Sequence, residues 1–119
     1  MKRVIIESPY AGDIERNTEY ARRCIKDSLD RGEAPLASHL LYPQVLDEND
    51  PAQRKQGIDA GLVWSRQADL AAFYCDYGRS PGMDFAWDRY FDLNLKFSNT
   101  HDPAFQFEER FIGKNVGDE

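Results

Sequence analysis

The chain has only two cysteines, Cys24 and Cys75, and they lie far apart inside expected regular elements. That spacing suits neither a zinc site nor a redox pair, and two such thiols read as small buried hydrophobes kept reduced. Histidine is equally scarce: His39 and His101 have no His or Cys companion at ligand spacing, so no metal and no cofactor is expected. Lys and Arg number 15 against 21 Asp and Glu, the net charge is -6, and no basic run exceeds two residues. The electrostatic footprint of a nucleic-acid-polymer binder is therefore missing. No stretch approaches membrane-spanning length, and Met1-Lys2-Arg3 is followed by only three apolar residues before Glu7. These absences argue against a membrane partner or a secretory leader and give a cytoplasmic location as the expectation. Also missing are GxGxxG, the P-loop Lys and a GxSxG elbow, which removes the commonest dinucleotide, triphosphate and serine-hydrolase signatures.

What remains is sufficient to fold. Hydrophobic residues make up 41% and aromatics 13% of 119 residues, enough for one core and too little chain for two. Val4-Ile5-Ile6 is a short β-branched run closed by Glu7-Ser8-Pro9, as expected of a buried strand. Beyond Gly12 the period becomes helical through Ile14, Asn17/Thr18, Ala21, Cys24/Ile25 and Ser28/Leu29, with Asp13 as N-cap and Gly32 as terminator. Ala34 to Ser38 reads as a second short strand, followed by a polar loop after His39-Leu40-Leu41-Tyr42-Pro43. Asp50-Pro51-Ala52-Gln53 combines a cap, Pro at the first helical position and Gln three residues after the cap, and opens a helix to about Arg66. Gly57 and Gly61 inside that helix point to close packing against the sheet or another subunit. Asp69 to Cys75 is a continuous apolar run typical of a strand buried on both faces. A helix from about Gly82 to Leu95 follows, with Met83, Ala86, Tyr90 and Leu93 on one stripe; Ser98 to Pro103 breaks it, and Phe105 to Glu108 alternates like a strand.

Strands alternating with helices predict parallel βαβ units, hence a three-layer α/β domain of flavodoxin-like type with a short parallel sheet of about four strands. The domain is expected over residues 1–112, with a polar tail at 113–119. In such a sheet, ligands bind beyond the C-terminal strand edges, where Ser8 to Asp13, His39 to Tyr42 and Asp76 to Met83 should converge. Ser8, Tyr10, Gly12 and Asp13 offer a hydroxyl, an aromatic face and the free N–H groups of a helix start, or simply form a tight turn. His39 is either a ligand contact and general base or a satisfied structural histidine. Tyr42 and Tyr77 suit stacking on a planar base or packing on their neighbours. Asp76 and Ser80 suit a ligand, or a turn and a cap.

The succession Ser8-Pro9-Tyr10-Ala11-Gly12-Asp13, Glu15-Arg16-Asn17, Glu19-Tyr20-Ala21-Arg22, His39-Leu40-Leu41-Tyr42, Asn49-Asp50-Pro51 and Ser80-x-Gly82-Met83 resembles small phage and bacterial proteins of the nucleoside 2-deoxyribosyltransferase-like superfamily. The resemblance covers residues 3 to 97, and more loosely Phe107 to Arg110. It implies a flavodoxin-like fold, a homo-oligomer, and chemistry at the N-glycosidic bond by a nucleophilic Glu in a Gly-Met-x-x-Glu pattern. Here that pattern reads Gly82-Met83-Asp84-Phe85-Ala86, so Ala86 stands where the nucleophile belongs. The expectation is a pocket for a nucleoside, nucleotide or ADP-ribose-like ligand, formed by Ser8, Tyr10, Gly12, Asp13, His39, Tyr42, Asp76, Ser80, Gly82 and Met83. Such a pocket would sequester or sense a nucleotide signal rather than transfer glycosyl groups efficiently. Two alternatives stay open: an active N-glycosidase or deoxyribosyltransferase with Asp76 or Glu7 as a relocated carboxylate, and a protein-interaction module presenting Trp64, Trp87, Tyr90 and Phe91.

Overall fold

The computed structural model describes residues 1–97 and 106–113, so the expected break at Ser98 to Pro103, His101 and the tail beyond Gly113 lie outside the described residues. Strand β1 (Arg3–Glu7) leads into helix α1 (Ile14–Asp30), followed by β2 (Ala34–Leu36), two 3-10 turns at Ser38–Leu40 and Tyr42–Gln44, and α2 (Pro51–Ser65). Then come β3 (Leu70–Tyr74), α3 (Pro81–Phe97) and β4 (Gln106–Arg110). The four strands form one sheet in the order β2-β1-β3-β4, every neighbouring pair parallel. This is a three-layer flavodoxin-like α/β fold.

Alternation along the strands creates the layers, because successive side chains leave opposite faces. Val4, Ile6, Leu70, Ala72 and Tyr74 pack on one face with Tyr20 and Cys24 of α1. Ala71, Phe73 and Cys75 pack on the other with Met83, Ala86 and Tyr90 of α3 and Leu62 of α2. All five residues of β3 are buried, as a strand covered on both faces requires. Phe73 meets Trp87 and Tyr90 edge-to-face at ring-centroid distances of 4.9 and 5.8 Å, a geometry that adds to the area it buries. Both cysteines are free and buried. Trp87 and Tyr90 belong to this layer, while Trp64 and Phe91 remain more than half exposed.

The helix starts follow their local chemistry. Asp13 Oδ1 accepts from the Arg16 backbone N–H at 3.1 Å, and Asp50 Oδ1 accepts from that of Ala52 at 3.0 Å. Gly32, at φ +81°, makes the left-handed turn that ends α1. Two expectations need correction. The buried stripe of α1 runs through Asn17, Tyr20, Ala21, Cys24 and Ser28, whereas Ile14 and Leu29 face solvent. The neighbour within the chain that Gly57 and Gly61 accommodate is not the sheet but the 38–46 connection. A Cβ at Gly61 would lie 2.8 Å from Ser38 Oγ, and one at Gly57 would lie 3.2 Å from Leu46 Cδ1.

Among the described residues, no helix is long and apolar enough to cross a membrane.

Candidate functional site

A cavity of about 450 Å³ opens at the C-terminal ends of β1 and β3, between the 3-10 turns, α2 and the start of α3. Of the expected residues it brings together Glu7, Ser8 and Tyr10 from the end of β1, His39 and Tyr42 from the 3-10 turns, and Ser80, Gly82 and Met83 from the start of α3. Ala86 lines it as well.

Four residues expected at the rim, Gly12, Asp13, Asp76 and Tyr77, do not line the cavity. Asp13 spends its carboxylate on the cap of α1, and Gly12 supplies the positive φ of the turn before it. Asp76 is turned back toward the sheet edge, where it accepts from the Tyr20 hydroxyl and from the backbone N–H groups of Ile112 at 3.0 Å and Gly113 at 3.1 Å. Burial pushes the Asp76 carboxyl up, but these donors outweigh it and hold it below its ordinary value. It is a clasp on the C-terminal strand, not a rim acid. Tyr77 is occupied in the same way: its ring packs edge-on against Tyr20 at 4.8 Å, with the Arg16 guanidinium 4.2 Å above it.

Glu7 is the acid that the end of β1 brings to the cavity. Its Oε1 accepts from the Tyr90 hydroxyl at 2.9 Å, and that hydroxyl lies 2.7 Å from Ser65 Oγ. Ser65 Oγ in turn lies 2.9 Å from the Gly61 carbonyl. With Tyr90 donating to Glu7 and Ser65 donating to the Gly61 carbonyl, the two hydroxyl protons are directed to these two acceptors. Burial pushes the Glu7 carboxyl up to about 7, against the downward pull of the Tyr90 hydrogen bond. A group poised there exchanges its proton readily at neutral pH.

Ser8 Oγ lies 2.6 Å from His39 Nε2, and burial lowers the His39 imidazole to about 4. His39 is therefore neutral at physiological pH and pairs with Ser8 as a hydrogen-bond partner rather than as a cation. The Ser80 hydroxyl accepts from the Met83 backbone N–H at 3.2 Å, so it caps α3 where that helix borders the cavity. Buried Asn17 shapes the loop that carries Tyr10, donating from Nδ2 to the Tyr10 and Ala11 carbonyls at 3.0 and 3.1 Å.

The contribution of α2 was not foreseen. Arg54, Ile58, Gly61, Leu62 and Ser65 all line the cavity, and their spacing of 4, 7, 8 and 11 residues from Arg54 is that of one helical face. Glu48 and Phe85 also line the cavity. Periodicity could reveal the α2 face, but not that part of it borders open space. Among the described residues, no group of three or more His, Cys, Asp or Glu is arranged to hold a metal ion.

A family model described as a domain of unknown function, DUF7768, matches residues 2–100. The chain belongs to this family. The DUF7768 match spans β1 through α3, and so includes every residue that lines the cavity. Among the described elements, only β4, at one edge of the sheet, lies beyond it. No curated protein matches the chain.

Proposed function

We propose that the cavity binds a nucleoside- or nucleotide-type small ligand, ADP-ribose-like molecules included, and that the protein sequesters or senses that ligand without efficient glycosyl transfer. One observation carries this reading. The residues that resemble the nucleoside 2-deoxyribosyltransferase-like pattern at Ser8, Tyr10, His39, Tyr42, Ser80, Gly82 and Met83 line one cavity, and Ala86 lines it at the position of the nucleophile. A methyl group cannot form the glycosyl ester that a carboxylate forms, whereas the surrounding groups keep their capacity to bind. The cavity volume of about 450 Å³ lies in the ordinary range for small-ligand sites. Tyr10, Tyr42 and Phe85 bring aromatic surface to its lining, suited to a planar base.

A second reading is favoured by Glu7, whose carboxyl lines the cavity and titrates near neutrality. As a relocated carboxylate it would make the protein an N-glycosidase. Asp76 no longer supports that reading, since its oxygens are engaged at the sheet edge.

Calorimetry against nucleosides, nucleotides, deoxynucleotides and cyclic ADP-ribose derivatives tests the first reading, and assay of the same mixtures for free base tests the second. Saturable binding with no base released is the expected result. Failure of the whole panel to bind overturns the first reading; base release that disappears in Glu7→Gln establishes the second in its place.

A further inference from the structure

We propose that Glu7 is the specificity group of this cavity, its outward carboxylate oxygen accepting a pair of adjacent hydrogen-bond donors on the ligand, while Arg54 receives the ligand's anionic group. This rests on the nucleotide-type reading above and adds which end of the ligand enters first.

Glu7 Oε1 is taken by the Tyr90 hydroxyl, while Oε2 has no hydrogen-bond partner among the described residues and belongs to a side chain that lines the cavity. A carboxylate left half-satisfied in a confined space is a costly group. A ligand carrying two neighbouring donors repairs it, because a carboxylate offers about four lone-pair sites and uses one for Tyr90. Two parts of a nucleoside have that chemistry: the vicinal hydroxyls of ribose, and an imino-amino base edge such as that of guanine.

The cavity has an electrostatic direction. Ser65, joined to Glu7 through Tyr90, sits at the last turn of α2, and Arg54 sits near its first turn. Eleven helical residues separate them, about 16 Å along the axis. Arg54 is the only Lys or Arg among the described residues lining the cavity, and it forms no salt bridge with Glu48 on the same lining. Arg54 is exposed and Glu7 is not, so Arg54 marks the outer end. An anion at the inner end would meet the Glu7 carboxylate, whereas at the outer end it meets a guanidinium suited to phosphate. The donor pair enters first and the phosphate stays outside.

Of the groups facing Glu7, the Tyr90 hydroxyl is held neutral by burial and the neighbouring Glu7 charge, and His39, reached through Ser8, is neutral. Glu48 and Arg54 are the remaining charged groups on the lining. A donor pair needs ionised Glu7, which titrates at about 7 in the unliganded protein. One linked proton then weakens binding about tenfold between pH 8 and pH 6.

Calorimetry with guanosine, inosine, 2′,3′-dideoxyguanosine and guanosine monophosphate tests the assignment on the wild type, Glu7→Gln and Arg54→Gln. Guanosine is chosen because it carries both kinds of donor pair. The expected results are a loss of tenfold or more for guanosine in Glu7→Gln, and a monophosphate-to-guanosine affinity ratio that falls toward one in Arg54→Gln. Wild-type binding of guanosine should weaken about tenfold from pH 8 to pH 6. Weaker binding of inosine assigns the pair to the base edge, and weaker binding of the dideoxy compound assigns it to the sugar; equal binding of all three nucleosides overturns the proposal. So does guanosine binding in Glu7→Gln within twofold of wild type, which leaves the nucleotide reading standing. Should that variant misfold, pH-independent binding by the wild type overturns it equally. Failure of guanosine and its monophosphate to bind the wild type, while other members of the wider panel bind, removes the donor-pair assignment alone; failure of every ligand removes both.

Discussion

Glu7 and His39 border the same cavity, and burial drives both toward their neutral forms with opposite consequences for stability. For Glu7 the folded value of about 7 lies above the ordinary 4.5, so across that window the native protein holds a proton that the unfolded chain has released. Its contribution to stability therefore falls as pH rises from 4.5 to 7. His39 has a folded value of about 4 against an ordinary 6.5, so its contribution is lost as pH falls through that window. Between pH 4.5 and 6.5 the two slopes oppose each other. Glu7→Gln removes one of them. The variant is expected to be more stable than the wild type at pH 8, by up to about 3 kcal/mol, and to match it more closely near pH 5. Urea unfolding at the two pH values measures the difference, and equal midpoint shifts at both would contradict the assignment. A near-isosteric amide that stabilises the fold also implies that the carboxyl is kept for something other than folding, the usual mark of a functional position.

Two glycines of α2 divide what local propensity predicts from what packing dictates. Gly57 and Gly61 each lower helix propensity by about 1 kcal/mol relative to Ala, so both substitutions should stabilise an isolated helix. In the folded chain the Cβ of Gly57→Ala comes to 3.2 Å from the end of the flexible Leu46 side chain and to an ordinary 3.6 Å from Tyr42 Cβ, whereas that of Gly61→Ala presses on Ser38, next to the residue that pairs with Ser8. Gly57→Ala is therefore expected to be neutral or to gain up to about 1 kcal/mol. Gly61→Ala should lose about 1 to 2 kcal/mol through overpacking and disturb the 3-10 turn that carries His39. Denaturant midpoints and the His39 ring resonances would read the two effects separately. The helix boundaries were legible because caps and Pro at the first helical position act locally: Asp13 and Asp50 cap as their neighbours require. The partners of a helix face are not local. The same spacing of Arg54, Ile58, Leu62 and Ser65 would serve a sheet, a subunit or a cavity, and only the placement of residues 38–46 decides. Asp76 meets the same limit, since a strand-end acid looks the same in sequence whether it faces a ligand or, as here, the Tyr20 hydroxyl.

At the scale of the whole molecule, β4 has to be held at one edge of the sheet, and polar clasps do so, among them those of Asp76 and Arg110 and the Arg79–Glu109 ion pair. Asp76 grips the backbone of Ile112 and Gly113, while Arg110, 5% exposed, reaches Glu33 between α1 and β2. That pair is bidentate, with both N–O distances 2.7 Å. Ser28 Oγ donates to Glu33 at 2.8 Å, and the Tyr74 hydroxyl, 3.3 Å from Arg110 Nη1, donates to Asp27 at 2.6 Å. The contact set joins β4, β3, α1 and the start of β2, and it escapes sequence reading because positions 33 and 110 are linked only by topology. Arg110 above all, with Ser28, holds the Glu33 carboxyl below its ordinary value, burial opposing them, so this contribution to stability is present at neutral pH and lost on acidification. Arg110→Met removes the cation that compensates the Glu33 charge, leaving it the Ser28 hydroxyl, and should cost about 3 kcal/mol or more. Arg110→Lys keeps the charge but not the fork that engages both oxygens, so it should recover only part of that loss. Because the fault lies at the far edge of the sheet from β1, hydrogen exchange is expected to rise first in β4 and at the Ile112 and Gly113 amides, before the β1 amides beside the cavity. A uniform rise across all four strands would mean instead that the sheet opens as one unit.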